Sequence, residues 1–251
     1  MKKVVITGTA GVIGSVLRKY LKKDYSLTLL DKTPLNERNF YLIDIAREYE
    51  LLKEIVKGHD TIVHLAWDAR EDIKSKIAIP ENKMMAENVY KAALEVNVPK
   101  VIMASSIHTV GGYINWNKPP YSFIVKKEFD KLQNLSLIST DIEPLPDSPY
   151  AETKVYIERL GRIYSAKGLS VICVRFGGIN PSNSPFTDEI GYSSIWLSHK
   201  DCAELIKKCI DVEKIPNNFL IIFGVSNNTY RIHDISNPLG WIPKDNAEKL
   251  C

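Results

Sequence analysis

Long apolar runs are missing from this chain: nothing in its 251 residues approaches the ~20 consecutive apolar positions that a membrane-spanning helix needs. A charge excess is missing too. Lysine and arginine total 33 against 30 acids, a formal net charge of +3. The basic pairs Lys2-Lys3, Lys22-Lys23, Lys126-Lys127 and Lys207-Lys208 are scattered. They read as solvated surface, so neither nucleic acid nor membrane is expected as a partner. Cysteine is scarce: Cys173, Cys202, Cys209 and Cys251 show no CxxC spacing. Cys202 and Cys209, seven apart on an expected helix, read as small core residues, not as metal ligands or a disulfide framework. A strand entered at Lys3 leaves no room for a signal peptide, and a cytoplasmic protein is expected. No internal repeat or low-complexity stretch is visible. The remaining mixture, 45% apolar and 25% charged, suits one large α/β domain with a modest appended lobe.

The order of patterns is more informative. Val4-Val5-Ile6 is a short apolar run bounded by glycine, as a buried parallel strand should be. Val12, Ile13, Val16, Leu17, Tyr20 and Leu21 then form a helical stripe. Strands are expected at Leu27–Leu30, Phe40–Ile43, Thr61–Leu65, Val101–Ala104, Ser170–Val174 and Phe219–Val225. Helices are expected at about 46–57, 81–97, 149–167 and 199–210. The alternation predicts an α/β fold, a doubly wound parallel sheet with right-handed crossovers. Residues 111–148, rich in Gly, Pro and aromatics, break the pattern, with one short helix expected near 125–133. Residues 1–176 are read as a dinucleotide-binding domain. Residues 177–251 are read as a small substrate lobe over the carboxyl ends of the strands.

Thr7-Gly8-Thr9-Ala10-Gly11-Val12-Ile13-Gly14 follows a strand and opens a helix. Gly8 permits a tight turn, Gly11 lets backbone approach a pyrophosphate, and Gly14 lets helix and strand pack closely. The unpaired N–H groups of the first helical turn then face the phosphates. Asp31, 17 residues past Gly14, stands where a carboxylate accepts from ribose hydroxyls and repels a 2′-phosphate. That favours NAD over NADP, although the neighbouring Lys32 is a cation that could tolerate the phosphate.

Tyr150 and Lys154, four apart on an expected helix, project from one face. A phenol with a pKa near ~10 is a poor base at neutral pH. A neighbouring ammonium favours its phenolate, which can take a hydroxyl proton while hydride leaves the same carbon. Ser106, at the end of the fifth strand, can bond the substrate oxygen. His108 lies close by in sequence.

TGTAGVIG, Asp31, Asp44-Ile45, His64-Leu65-Ala66, Asn82, Ser105-Ser106 and YAETK at 150–154 resemble the extended short-chain dehydrogenase/reductase family, which includes the NAD-dependent sugar epimerases and dehydratases. The likeness covers about residues 1–180 and implies a Rossmann fold. It implies that Asp44 and Ile45 contact adenine, and that Leu65, Ala66 and Phe176 run along the cofactor. Val12, Ile13, Lys32, Trp67 and Asn82 join this cofactor-facing set. Ser106, Tyr150 and Lys154 become the catalytic triad. A nearer likeness is to the uronate dehydrogenase branch. It is carried by Ser105-Ser106-x-His108-Thr109, Trp196–Asp201, Phe223–Asn228 and Leu239–Glu248. Those enzymes oxidise the C1 hydroxyl of a cyclic hexuronic acid to a lactone, and a related branch oxidises hexose 6-phosphates. The resemblance implies substrate contacts at Ser106, Ile107, His108 and Gly178.

The chain also departs from that branch. Ile107 replaces an asparagine, Ala69 and Gly178 replace substrate-contacting serines, and the carboxylate-binding arginine falls at about Gly191. A buried carboxylate without its partner is strongly disfavoured, so a different sugar or polyol is expected. The 111–148 segment either supplies replacement contacts, from Lys118, Tyr121, Lys126 or Lys127, or is a solvent-exposed insertion. Two other readings remain: a nucleotide-sugar epimerase or dehydratase with tightly held NAD, and a non-catalytic dinucleotide sensor. The triad argues against the sensor. The resemblance further implies a homodimer through the helices at 81–97 and 149–167.

Overall fold

Alternate residues of the inner strands enter opposite cores, and this fixes the layered fold. In β1 (Lys3–Thr7), Val5 joins one apolar cluster while Val4 and Ile6 join another. In β5 (Lys100–Ser106), Val101 and Met103 face the first and Ile102 the second; β6 (Ser170–Phe176) repeats this with Val171 and Cys173 against Ile172 and Val174. Strands buried on both faces need helices on both sides. The computed structural model describes residues 1–70, 78–132 and 135–250.

The other strands are β2 (Ser26–Asp31), β3 (Phe40–Leu42), β4 (Thr61–His64) and β7 (Phe219–Gly224). All pairings are parallel, in the order β3-β2-β1-β4-β5-β6-β7. The direction of winding reverses between β1 and β4, so a crevice opens at their carboxyl ends. One face carries α2 (Tyr49–Val56), α3 (Ala78–Glu95) and α5 (Pro149–Ser165); the other carries α1 (Val12–Leu21) and α7 (His199–Asp211). Cys173, Cys202 and Cys209 are buried free thiols, and burial pushes each thiol up. No helix among the described residues is long and apolar enough to cross a membrane.

The expected short helix near 125–133 is displaced. A single turn, α4 (Tyr121–Val125), comes first, and Lys127 at φ 57° ends it before a 3-10 turn at Phe129–Lys131. The 111–148 segment is not merely solvent-exposed. Ile124 and Ile138 enter a third apolar cluster with Trp196, Phe223 and Ile232. Ile138 N–H donates to Ile232 O at 2.9 Å, and Asp234 N–H donates to Ile138 O at 2.9 Å.

Residues beyond 176 share the sheet as well as covering it, because β7 pairs with β6 from Phe219 to Gly224. A polar clamp secures the tail. Asp201 accepts from Lys244 N at 2.8 Å, Asp245 N at 3.0 Å and Ser226 Oγ at 2.7 Å. Asn228 donates to Trp196 O at 2.9 Å and accepts from Ala247 N at 3.1 Å. Buried backbone groups need such partners, which accounts for polar side chains at fully buried positions.

Candidate active site

Thr7 ends β1 with its hydroxyl accepting from Leu65 N and Ala66 N, both at 3.2 Å. Its own proton is therefore donated to His64 Nδ1, 2.8 Å away. His64 is fully buried and stays neutral, its pKa lowered to about 3 by burial and then by the Lys154 charge. These bonds hold the segment after β4 against the glycine turn. Gly8 adopts φ 70°, and a Cβ there would lie 2.5 Å from Ala66 N. A Cβ on Gly14 would lie 2.4 Å from Gly8 O. Gly11, the N-cap of α1, has only Gly8 O at 3.4 Å, so nothing in the protein crowds it. Gly8→Ala should lower stability by about 2–4 kcal/mol through clash and backbone strain, and should abolish measurable dinucleotide binding. Thermal unfolding with and without NAD tests this; an unchanged NAD-induced shift would contradict it.

A cavity of about 480 Å³ opens beside the turn, walled by Gly8, Gly11, Asp31, Lys32, Asp44, Ile45, Leu65, Ala66 and Trp67. The Asp31 carboxylate is already oriented, accepting from Ala10 N and Thr33 N at 2.8 Å each. Each of its oxygens retains a lone pair for a further donor. Lys32 lies 3.5 Å from Asp68 Oδ2, so its charge is engaged there. Asp68 is buried, and the Arg70 guanidinium holds its carboxyl well below the usual carboxylate range. Asp68 is a wall residue that the sequence reading missed.

Asn82 stands behind this wall. It is 1% exposed and outside the cavity wall; its amide accepts from Asp68 N at 2.7 Å and donates to Asp68 O at 3.1 Å. A short amide cannot both staple that backbone and reach the cavity, so it supports the wall from behind. Val12 opens α1 behind Gly11 and is on neither wall.

Leu65 and Trp67 also wall a second cavity of about 700 Å³, which joins the two spaces. Here the structure brings together Ile13, Ser106, Ile107, His108, Tyr150, Lys154, Phe176 and Gly178. Ser148 caps α5 by accepting from Ala151 N at 3.2 Å, which places Tyr150 and Lys154 on the first turns. Beneath them, buried Glu158 accepts from Arg175 Nε and Nη2 at 2.8 Å and from Ser105 Oγ at 2.6 Å. That pairing ties α5 to β5 and β6 and so fixes the helix relative to Ser106. Lys154 Nζ donates to Ala104 O at 2.9 Å and lies 3.6 Å above the Trp67 ring centre. The Tyr150 ring meets Trp67 edge-on at 5.2 Å and His108 at 5.9 Å.

Glu189 and Tyr192 complete the outer wall, and the sequence reading missed both. Tyr192 and Trp116 account for two departures from the uronate pattern. A Cβ on Gly178 would lie 2.5 Å from the Tyr192 ring, which excludes serine. Gly191 sits at φ 74° with the Trp116 ring 2.5 Å from its would-be Cβ, which excludes arginine. Trp116 comes from the 111–148 segment, which thus packs against the backbone that precedes Tyr192.

Known proteins resemble the chain over nearly its whole length. An NAD-dependent glucose-6-phosphate dehydrogenase of Haloferax volcanii is 28% identical, covering 98% of this chain and 95% of that protein. An L-arabinose 1-dehydrogenase (NAD(P)(+)) of the same organism is 26% identical, covering 98% of each. The crystal structure of a uronate dehydrogenase mutant from Agrobacterium tumefaciens, complexed with NAD, superposes with a TM-score of 0.79 at 28% identity, covering 100% of this chain and 87% of that one. Residues 4–179 match the NAD dependent epimerase/dehydratase family, and the chain belongs to that family.

Proposed function

We propose that the protein oxidises the C1 hydroxyl of a free, uncharged cyclic sugar to a lactone. The carrying observation is that Ser106, Tyr150 and Lys154 open into a cavity sharing Leu65 and Trp67 with the glycine-turn cavity. The residues present suit NAD: Gly8 and Gly14 keep the turn tight, Gly11 is uncrowded, and Asp31 is preset to accept from ribose hydroxyls. When bound, the nicotinamide supplies the hydride acceptor. Asp44, Ile45 and Lys32 would wall the adenosine end; Ile13, Trp67 and Phe176 would flank the nicotinamide end.

Ser106 Oγ accepts from His108 N at 3.2 Å, leaving its hydroxyl proton to donate to the substrate oxygen. Tyr150 takes the proton of the sugar hydroxyl as its C–H bond breaks and the C=O bond forms. Lys154 places a positive charge beside that phenol and would help to hold the nicotinamide ribose. Residues 1–176 would hold the cofactor and 177–251 the outer substrate wall. A homodimer would form through the helices at 81–97 and 149–167, where Met84 and Ile163 are exposed.

The wall supports an uncharged substrate. No arginine lines this cavity among the described residues; Lys154 is bonded to Ala104 O, and Glu189 adds negative charge. A carboxylate or phosphate beside Glu189 is disfavoured by roughly 1 kcal/mol or more, depending on its depth. With NAD and a panel of aldoses, hexuronates and hexose 6-phosphates, NADH absorbance should show neutral aldoses favoured in kcat/KM by about 10-fold or more. Glu189→Gln should narrow that gap. Preference for uronates would overturn the substrate class, and NADH from no sugar would overturn the dehydrogenase reading.

A further inference from the structure

We infer that Asp147 is a positioning residue that locks His108 in the one tautomer able to accept a substrate hydroxyl. The substrate role assigned to His108 rests on the dehydrogenase reading above; the lock itself does not. His108 Nδ1 lies 2.7 Å from Asp147 Oδ2. A carboxylate only accepts, so Nδ1 carries a proton, and in the neutral ring Nε2 is then the acceptor. The His108 ring borders the second cavity and stands edge-on to Tyr150, 5.9 Å between centres. A sugar with its reacting hydroxyl on Tyr150 and Ser106 would share this cavity with the His108 ring, which could then take a neighbouring hydroxyl.

Two further observations show that the contact is built in. The other carboxylate oxygen of Asp147 accepts from Ser148 Oγ at 3.0 Å, and Ser148 is the N-cap of α5. One carboxylate thus couples the orientation of His108 to the helix that carries Tyr150 and Lys154. Opposite, a Cβ on Gly111 would lie 1.9 Å from Asp147 Oδ2 and 2.6 Å from its Cγ. Only glycine at 111 lets Asp147 reach His108. Gly111, at the start of the Gly-rich segment, is thereby given a specific task.

Asp147→Asn replaces the acceptor with an amide that can donate to Nδ1 and move the ring proton to Nε2. Nitrogen NMR of the wild-type His108 ring should show a protonated Nδ1 and a bare Nε2, and the pattern should shift toward protonated Nε2 in the variant. With the best sugar, KM should rise about 10-fold while kcat stays within about 3-fold and NAD affinity is unchanged. Among monodeoxy analogues, the one most penalised by the wild type should lose most of its penalty in the variant. Gly111→Ala, which pushes the carboxylate aside, should reproduce this KM pattern. A protonated Nε2 in the wild type would overturn the lock. Unchanged KM and unchanged deoxy discrimination would overturn its role in binding. If no sugar is oxidised, the dehydrogenase reading falls with the hydroxyl contact, and the NMR result still decides the lock.

Discussion

Tyr150→Phe is expected to lower kcat for sugar oxidation by about 10²- to 10⁴-fold while leaving the Kd for NAD within about 3-fold. The ring is retained, so its edge contacts with Trp67 at 5.2 Å and His108 at 5.9 Å survive. Lys154 keeps its bond to Ala104 O, and Ser148 keeps its cap on α5. Only the phenol oxygen is removed, and with it the group proposed to take the hydroxyl proton. Steady-state kinetics and fluorescence titration with NAD separate the two effects. A variant that loses NAD binding and activity together would point to structural damage. One that retains full kcat would remove Tyr150 from the chemistry.

Acid should destabilise the protein early and steeply. His64 and His233 are fully buried, and burial holds each neutral with a pKa lowered to about 3; Lys154 adds to the effect at His64, and Arg175 and His108 at His233. In the unfolded chain both protonate near pH ~6.5. The stability they contribute is present above ~6.5 and is lost as pH falls toward ~3, because the unfolded state then binds more protons. At ~1.36 kcal/mol per pH unit per group, the pair removes about 4 kcal/mol between pH ~8 and pH ~5. For a chain of this size that is a fall in Tm of about 8–15 °C. Asp201, raised by burial, opposes the trend only near the carboxylate range. His233 packs on Phe223 at 4.6 Å, and neither ring nitrogen has a partner among the described residues. His233→Phe should therefore halve the acid slope while changing stability at pH ~8 by less than about 2 kcal/mol. An unchanged slope in that variant would show that other groups govern acid unfolding.

Most of the sheet was readable in advance because strands buried on both sides leave short apolar runs that local pattern reports. The glycine turn, Asp31 and the Tyr150–Lys154 spacing were readable for the same reason: their geometry is set within a few residues. What was not readable depends on distant packing. Nothing near Gly191 announces that Trp116, 75 residues earlier, fills the space of its side chain. Nothing near Trp67 announces that Lys154 will lie over its ring. Nothing near Asn82 announces that its side chain will bond the backbone N–H and C=O of Asp68, 14 residues earlier. The short helix was misplaced because the left-handed backbone at Lys127 is a tertiary outcome at a residue with no preference for it.

The central claim is that the cavity around Ser106, Tyr150 and Lys154 moves hydride from C1 of a sugar to NAD. It is tested most directly by incubating the protein and NAD with a substrate aldose carrying deuterium at C1, then measuring the mass of the reduced cofactor. The account predicts NADH heavier by one deuterium, and no label transfer by Tyr150→Phe on the same timescale. Reduced cofactor without the label, or an oxidised sugar that still carries deuterium at C1, would contradict it.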